Sequence, residues 1–275
     1  MQLNQVKEHI LLVFEGERTE LKLYDFLKKH NLSLISKYRE ILTTFKAEIY
    51  QLYKKIIDED ADLFAVLQEK DANLKKISQD NISSIFLIFD YDCHASQADD
   101  NKIIELLEYF DNETENGKIF ISYPMVEAFK YFNVCDNLDQ FCKLTINRQQ
   151  VSKFKEISHD LCQKNKTWQK MTRDEFKKLI LLHCIKSNWI VNSQQTLSKH
   201  SITQQNIFNH QKTKEDIYIL SAFPLILHYF YKYEDFIKLV FFDDFSIFAM
   251  WQDEDDANTL SVEETIRIMS HVKSP

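Results

Sequence analysis

Glycine and proline are nearly missing from this chain, with two and three in 275 residues. That scarcity says nothing about function, since an AT-rich coding sequence gives the same skew. It does imply that each remaining glycine sits where no other residue fits. Cysteine is sparse and odd in number, with Cys93, Cys135, Cys142, Cys162 and Cys184 and no C-x-x-C pair. A disulfide frame and a zinc knuckle are thereby excluded, leaving reduced core or surface thiols. Positive charge is short, with 34 basic against 42 acidic residues and a net charge of −8. The balance counts against broad coating of nucleic acid, though it leaves room for a local basic groove. The opening MQLNQVKEHI has no basic segment followed by an apolar one, so no secretory signal is expected. Apolar stretches such as Ile217 to Phe230 are broken by Ser, Pro and His and are too short to span a bilayer. A soluble, cytoplasmic protein with no membrane partner is expected.

What is abundant is bulky apolar material: 44% hydrophobic residues, with 21 Phe and 12 Tyr. Such a chain packs a core and is not disordered. Three apolar runs read as strands covered on both faces of a parallel sheet: His9 to Phe14, Ile85 to Phe89 and Ile119 to Ser122. Arg39 to Phe45 is a weaker fourth. Helical spacing occurs at Thr19 to Lys29, Ala47 to Asp58, Leu63 to Ile77 and Lys102 to Phe110. Strand and helix alternate over the first half, which predicts a doubly wound α/β layer. From Pro124, which suits the first turn of a helix, the pattern becomes mainly helical. Helices are expected at Val151 to Lys164, Arg173 to Lys186, Ile217 to Tyr231 and Phe236 to Phe248. The polar stretch Asn192 to Lys214 reads as a loop, and the acidic Gln252 to Glu264 as solvated. The division predicted is an α/β region over 1–133 and a mainly α-helical region over 134–275.

Acids stand at the ends of the strands. The first run is followed by Glu15, with Glu20 one turn into the next helix. The second ends on Asp90 and Asp92, and the third leads to Glu127. In open α/β sheets, functional groups collect at the carboxyl ends of strands. Five converging carboxylates repel one another unless cations neutralise them, and hard divalent ions such as Mg2+ or Mn2+ take oxygen ligands of this kind. Two such ions, roughly 4 Å apart, activate water and stabilise a leaving oxygen in phosphodiester cleavage.

The segments LLVFEGERTE and IFLIFDYD resemble the TOPRIM (topoisomerase–primase) fold. Its signature is Glu-Gly after the first strand and Asp-x-Asp after a later one, here Glu15-Gly16 and Asp90-Tyr91-Asp92. The E-G-x-x-T-E form, Glu15 to Glu20, and the Ser-x-Pro-x-x-Glu element, Ser122 to Glu127, resemble small TOPRIM nucleases of bacterial phage defence. These include the RloB-like and OLD (overcoming lysogenisation defect) groups. The likeness covers about residues 9 to 133. Two departures are that no Ser-x-x-Gly element follows Asp92, and that extra helix lies between Glu15 and Asp90. The resemblance implies a TOPRIM-like, mostly parallel sheet and metal-dependent cleavage of DNA or RNA, tRNA included. By it, Glu15, Glu20, Asp90, Asp92 and Glu127 hold the metals, with Glu15 also an acid or base. It further implies a toxic antiviral effector, partnered by nucleic acid and by an ATPase or other defence-system protein. A homodimer is compatible with it.

Lys118, Lys130 and Arg18 are cations close in sequence to these acids, and Lys118 joins the catalytic set as a candidate for stabilising transition-state charge. Each also reads as a solvated surface cation. Glu20 and Glu127 also read as acids favoured by a helix N-terminus. His94 is a loop histidine beside the aspartates, while His159, His183 and Cys184 lack metal-site spacing. Trp168, Trp189, Trp251 and the tyrosines from Tyr218 to Tyr233 read as core, with base stacking as the sharper alternative. A rival enzyme is a haloacid-dehalogenase-like phosphatase, with Asp90 as nucleophile, Asp92 as acid and the distal KLVFFDD pair Asp243 and Asp244. Another class is a non-catalytic TOPRIM scaffold that binds a partner subunit.

Overall fold

The computed structural model describes residues 9–34, 38–130, 138–164, 168–241 and 259–260, with only the backbone of 161–164, 241 and 259–260. The first half runs β1 (His9–Phe14), α1 (Thr19–Lys29), β2 (Arg39–Thr44), α2 (Ile49–Tyr53), α3 (Leu63–Lys70), β3 (Ile82–Asp90), α4 (Asp100–Tyr109), β4 (Asp111–Asn112) and β5 (Gly117–Ser122). The second half runs α5 (Leu138–Lys143), β6 (Thr145–Asn147), α6 (Phe154–Lys164), α7 (Arg173–Asn192), β7 (Leu197–Ser198), α8 (Gln204–Gln211), β8 (Asp216–Tyr218), α9 (Ala222–Phe230), α10 (Tyr233–Phe241) and β9 (Thr259–Leu260). Among the described residues, no helix is long and apolar enough to cross a membrane.

Five strands form one sheet in the order β2-β1-β3-β5-β4. The first four are parallel and β4 is antiparallel. Parallel pairing brings the carboxyl ends of β2, β1, β3 and β5 to one edge, which is what positions the site. Both faces are covered, as the continuous apolar runs predict. On one face Phe223 of α9 stacks on Phe14 at 6.0 Å, and Tyr229 meets Phe120 at 5.7 Å. On the other face Phe45 packs against Phe89. A single apolar core runs from β1 to α10, so the sheet and the helical region share one interior. Removing a ring such as Phe14 from it costs about 3–5 kcal/mol.

The outer side of β5 is finished by the second half of the chain. The backbone N–H of Ile121 donates to Gln204 Oε1 at 3.0 Å, and Tyr123 bridges Leu220 at 2.7 and 2.8 Å. Ala222 N donates to Ser122 Oγ at 3.2 Å. These bonds satisfy strand groups that β4, two residues long, leaves unpaired.

Several expectations need correcting. Leu63 to Ile77 is not one helix. It stops at Lys70, because Asp71 is extended and its carboxylate accepts from Thr43 Oγ1 at 3.0 Å and Asn73 N at 2.9 Å. Pro124 does not open an α-helix: the Tyr123–Pro124 bond is cis, and a 3-10 turn follows over Val126–Lys130. Asn192 to Lys214 is not a plain loop, since it holds β7 and α8. Polar α8 escaped notice because its inward face uses glutamines: Gln211 bonds both N–H and C=O of Tyr218 at 2.9 Å. Ile217 to Tyr231 divides into β8, paired with β6, and α9. Helix α10 starts at Tyr233, and the expected extension past Phe241 lies outside the described residues, as does most of Gln252 to Glu264.

Candidate acidic site at the strand ends

The strand exits are stitched together by backbone bonds before any side chain is considered. Glu15 N donates to Ile88 O at 3.0 Å, Lys46 N donates to Glu15 O at 2.9 Å, and Tyr91 N donates to Ser122 O at 2.9 Å. Glu15 follows β1 at the centre of this edge. Its Oε2 accepts the backbone N–H of Asp90, the last residue of β3, at 2.9 Å. Glu20, in the first turn of α1, is buried and folds back so that Oε1 accepts Gly16 N at 3.1 Å. Glu127, in the 3-10 turn after β5, is 2% exposed, with Lys130 Nζ 3.7 Å from its Oε1.

Gly16 sits where no other residue fits with Glu20 as placed, as the scarcity of glycine suggests, and the reason is space. Its backbone is not left-handed. A Cβ there would lie 2.9 Å from both carboxylate oxygens of Glu20. Glycine therefore leaves room for the acid to reach the strand edge. Gly117, by contrast, has φ +113°, and a Cβ would meet Leu87 Cδ1 at 2.8 Å.

The acids raise one another. Burial, then Asp92, then Glu20 and Glu48 push the Glu15 carboxyl up to about 9 against the relief of the Asp90 amide. Asp90 is held well above the usual carboxylate range by burial and by Glu15, Glu20, Asp92 and Glu127. Burial and Glu48 raise Asp92, with His94 pulling the other way. Burial and Glu127 raise Glu20, while the amide of Gly16 and Lys155 lower it. Asp90 thus lies within electrostatic reach of all four others, Glu15, Glu20, Asp92 and Glu127.

Lys118 does not join them. It pairs in register with Phe86, four residues before Asp90 faces Ser122, so it sits roughly 13 Å back along the sheet. There its ammonium donates to Asp111 O at 2.5 Å and lies 4.6 Å over the ring of Tyr229. The sequence misleads because β5 runs from Lys118 toward the site and not away from it. The basic side chains that do reach the acids are Lys130, beside Glu127, and Lys155, near Glu20, while His94 stands near Asp92. Arg18 is exposed.

The chain also brings in an acid that sequence reasoning left out. Glu48 stands between β2 and α2, and its charge bears on both Glu15 and Asp92. The signal was present, since a carboxylate follows the fourth strand as it follows the other three. That strand was faint because β2 is at the sheet edge and only half-buried over most of its length.

Other candidates fall into packing roles. His183 is fully buried, Nδ1 accepts from Ser221 N at 3.3 Å, and the ring stacks on Phe129. Cys142 and Cys184 are buried free thiols, and Cys93 is a half-buried one. His159 is exposed on α6. Trp168 is buried, with Lys130 5.0 Å from its ring, and Trp189 packs edge-on to Tyr218. Asp243, Asp244 and Trp251 lie outside the described residues.

The donor set suits a hard cation in chemistry: oxygen ligands only, densely negative, with few compensating cations. Among the described residues, no three acidic, histidine or cysteine side chains already close around one point. Glu15 and Glu20 are instead turned onto the backbone amides of Asp90 and Gly16. Comparison with protein-family models, with curated proteins and with solved structures found no match.

Proposed function

We propose that this chain is a metal-dependent nuclease that hydrolyses phosphodiester bonds in DNA or RNA. The observation that carries the reading is the gathering of Glu15, Glu20, Asp90, Asp92 and Glu127 at one sheet edge, three of them held together by backbone bonds. Keeping so many carboxylates close costs stability, and a divalent cation is the simplest ligand that offsets the cost. The residues that would hold Mg2+ or Mn2+ are these five. When bound, the cation polarises phosphate oxygens and makes water a stronger nucleophile.

The chain's own contributions are separate from that. Glu15 has one oxygen on the Asp90 amide, leaving Oε1 to hold or pass a proton. Its raised affinity for protons suits acid–base work near neutral pH. Lys130 and Lys155, beside Glu127 and Glu20, offer positive charge to a phosphate entering an otherwise acidic edge. The TOPRIM-like identity, the antiviral role and the choice among DNA, RNA and tRNA rest on the motif resemblance.

The test is incubation of purified protein with Mn2+ or Mg2+ and plasmid, oligonucleotide and tRNA. Cleavage that Asp90→Asn abolishes is expected. Intact substrates throughout, also after adding the product of an adjacent gene, would refute the reading. A metal-free scaffold that binds a partner would show no change of Tm at millimolar Mn2+.

A further inference from the structure

The two aspartates after β3 stand on either side of Tyr91, and that residue is held by both its backbone and its side chain. Its N–H donates to Ser122 O at 2.9 Å, and its carbonyl accepts Cys93 N at 2.5 Å, closing a three-residue turn around Asp92. The direction in which Asp92 leaves the strand therefore follows the placing of Tyr91. The tyrosine ring is fully buried, and its hydroxyl donates to Asp100 Oδ1, in the first turn of α4, at 2.6 Å.

Much of what holds the ring comes from the second half of the chain. Phe208 of α8 meets it edge-on at 5.5 Å, and the guanidinium of Arg148 lies over it at 5.4 Å. Arg148 follows β6, where its own N–H donates to Glu215 O at 3.0 Å. Its side chain is tied to the end of α8: Nε donates to Lys214 O at 2.8 Å, and Nη2 to Gln211 O at 3.2 Å and Lys212 O at 3.0 Å. Carbonyls at a helix C-terminus lack intrahelical donors and favour a cation, so α8 fixes where this guanidinium lies. An arginine that only capped α8 would need no partner on the sheet. This one reaches from the helix end to the residue between the two acids.

We infer that Arg148 is a positioning residue: through Tyr91 it sets how Asp92 is presented beside Asp90, so that the helical region governs the acidic edge. The inference deepens the metal-dependent reading above and rests on it for its effect on metal binding. Groups behind a ligating carboxylate typically govern metal affinity by about 10–100-fold.

The experiment pairs amide hydrogen exchange of the metal-free protein, read residue by residue by NMR, with calorimetric titration of MnCl2. Arg148→Met keeps the apolar stem and removes the guanidinium. It is expected to speed exchange of the Tyr91 and Cys93 amides about fivefold or more and to leave those of Leu11 to Val13 in β1 unchanged. Mn2+ should bind about tenfold more weakly. Arg148→Lys returns a cation without the fork and is expected to lie between wild type and Arg148→Met; it is read in place of Arg148→Met if that variant does not fold. Unaltered exchange at Tyr91 and Cys93, or a loss of protection shared equally by β1, overturns the inference, because the arginine then serves stability alone. Wild-type Mn2+ affinity in a variant whose two amides have loosened overturns it as well, while the nuclease reading stands. No uptake of Mn2+ by the wild type overturns the metal-dependent reading instead, and the exchange rates still decide whether Arg148 holds the turn.

Discussion

Replacing Glu15 by glutamine removes an ionisable group while keeping an oxygen that accepts the Asp90 amide, now 2.9 Å from Glu15 Oε2. The new amide can donate to Asp92, the neighbour whose charge bears most on Glu15. Burial and Asp92 push the Glu15 carboxyl up to about 9 from 4.5. In the folded protein it therefore keeps its proton at pH values where the unfolded chain has lost it. Such a group contributes stability that is full below about 4.5 and declines as pH rises toward about 9. At pH 7, 2.5 units above 4.5, the wild type has lost at most ~3.5 kcal/mol on this account, at ~1.4 kcal/mol per pH unit. The other acids share the protons, so about 1.5–3 kcal/mol is the range expected. Without metal, Glu15→Gln should thus raise Tm by roughly 3–9 °C at pH 7. The gain should shrink toward zero near pH 5. With Mn2+ the order reverses, since the wild type gains a ligand-dependent rise that the variant lacks. Thermal unfolding in buffers from pH 5 to 8, with chelator and with Mn2+, is the assay. A metal-free Tm that falls on substitution, or a gain equal at pH 5 and pH 8, would refute the account of mutually repelling acids.

Gly16→Ala puts a Cβ 2.9 Å from the Glu20 carboxylate, a flexible group that can move aside. Stability should change by less than about 1 kcal/mol, while Mn2+ affinity drops severalfold, read by titration calorimetry. Lys118→Ala removes a half-buried ammonium lying over Tyr229, far from the acids. It should cost about 0.5–1 kcal/mol in urea unfolding and leave any nuclease rate unchanged. Lys186 is fully buried, and its Nζ donates to Phe141 O at 2.9 Å and Leu144 O at 2.7 Å. Burial lowers its amine to about 7, so folding sheds a proton and this group's contribution grows as pH rises from about 7 to 10.5. Lys186→Met should abolish that rise and cost about 1–3 kcal/mol through the two hydrogen bonds lost, each carbonyl keeping one backbone donor (Leu144 N on Phe141 O, Ile219 N on Leu144 O), as measured by denaturant unfolding across pH.

Much of the first half was legible in the sequence, and for a clear reason. A strand buried on both faces must be a short continuous apolar run, so HILLVF declares itself, and β1 matches it residue for residue. β3 extends further than its apolar run because Ser83 satisfies its hydroxyl on His9 O at 2.8 Å, a partner invisible along the chain. α1 reads off its spacing over Thr19 to Lys29, which turns Leu23, Tyr24 and Leu27 inward. α8 did not, because its buried residues include Gln204 and Gln211, whose partners lie on β5 and β8.

The same division runs through the site. Local order alone determined that acids follow strands, and hence named Glu15, Glu20, Asp90, Asp92 and Glu127. Which acids face each other depends on strand order and direction. Parallel pairing placed the exits of β2, β1, β3 and β5 on one edge, drawing in Glu48 and leaving Lys118 at the far end of its strand. Strand direction is set by long-range packing and backbone pairing, and only the folded chain decides it.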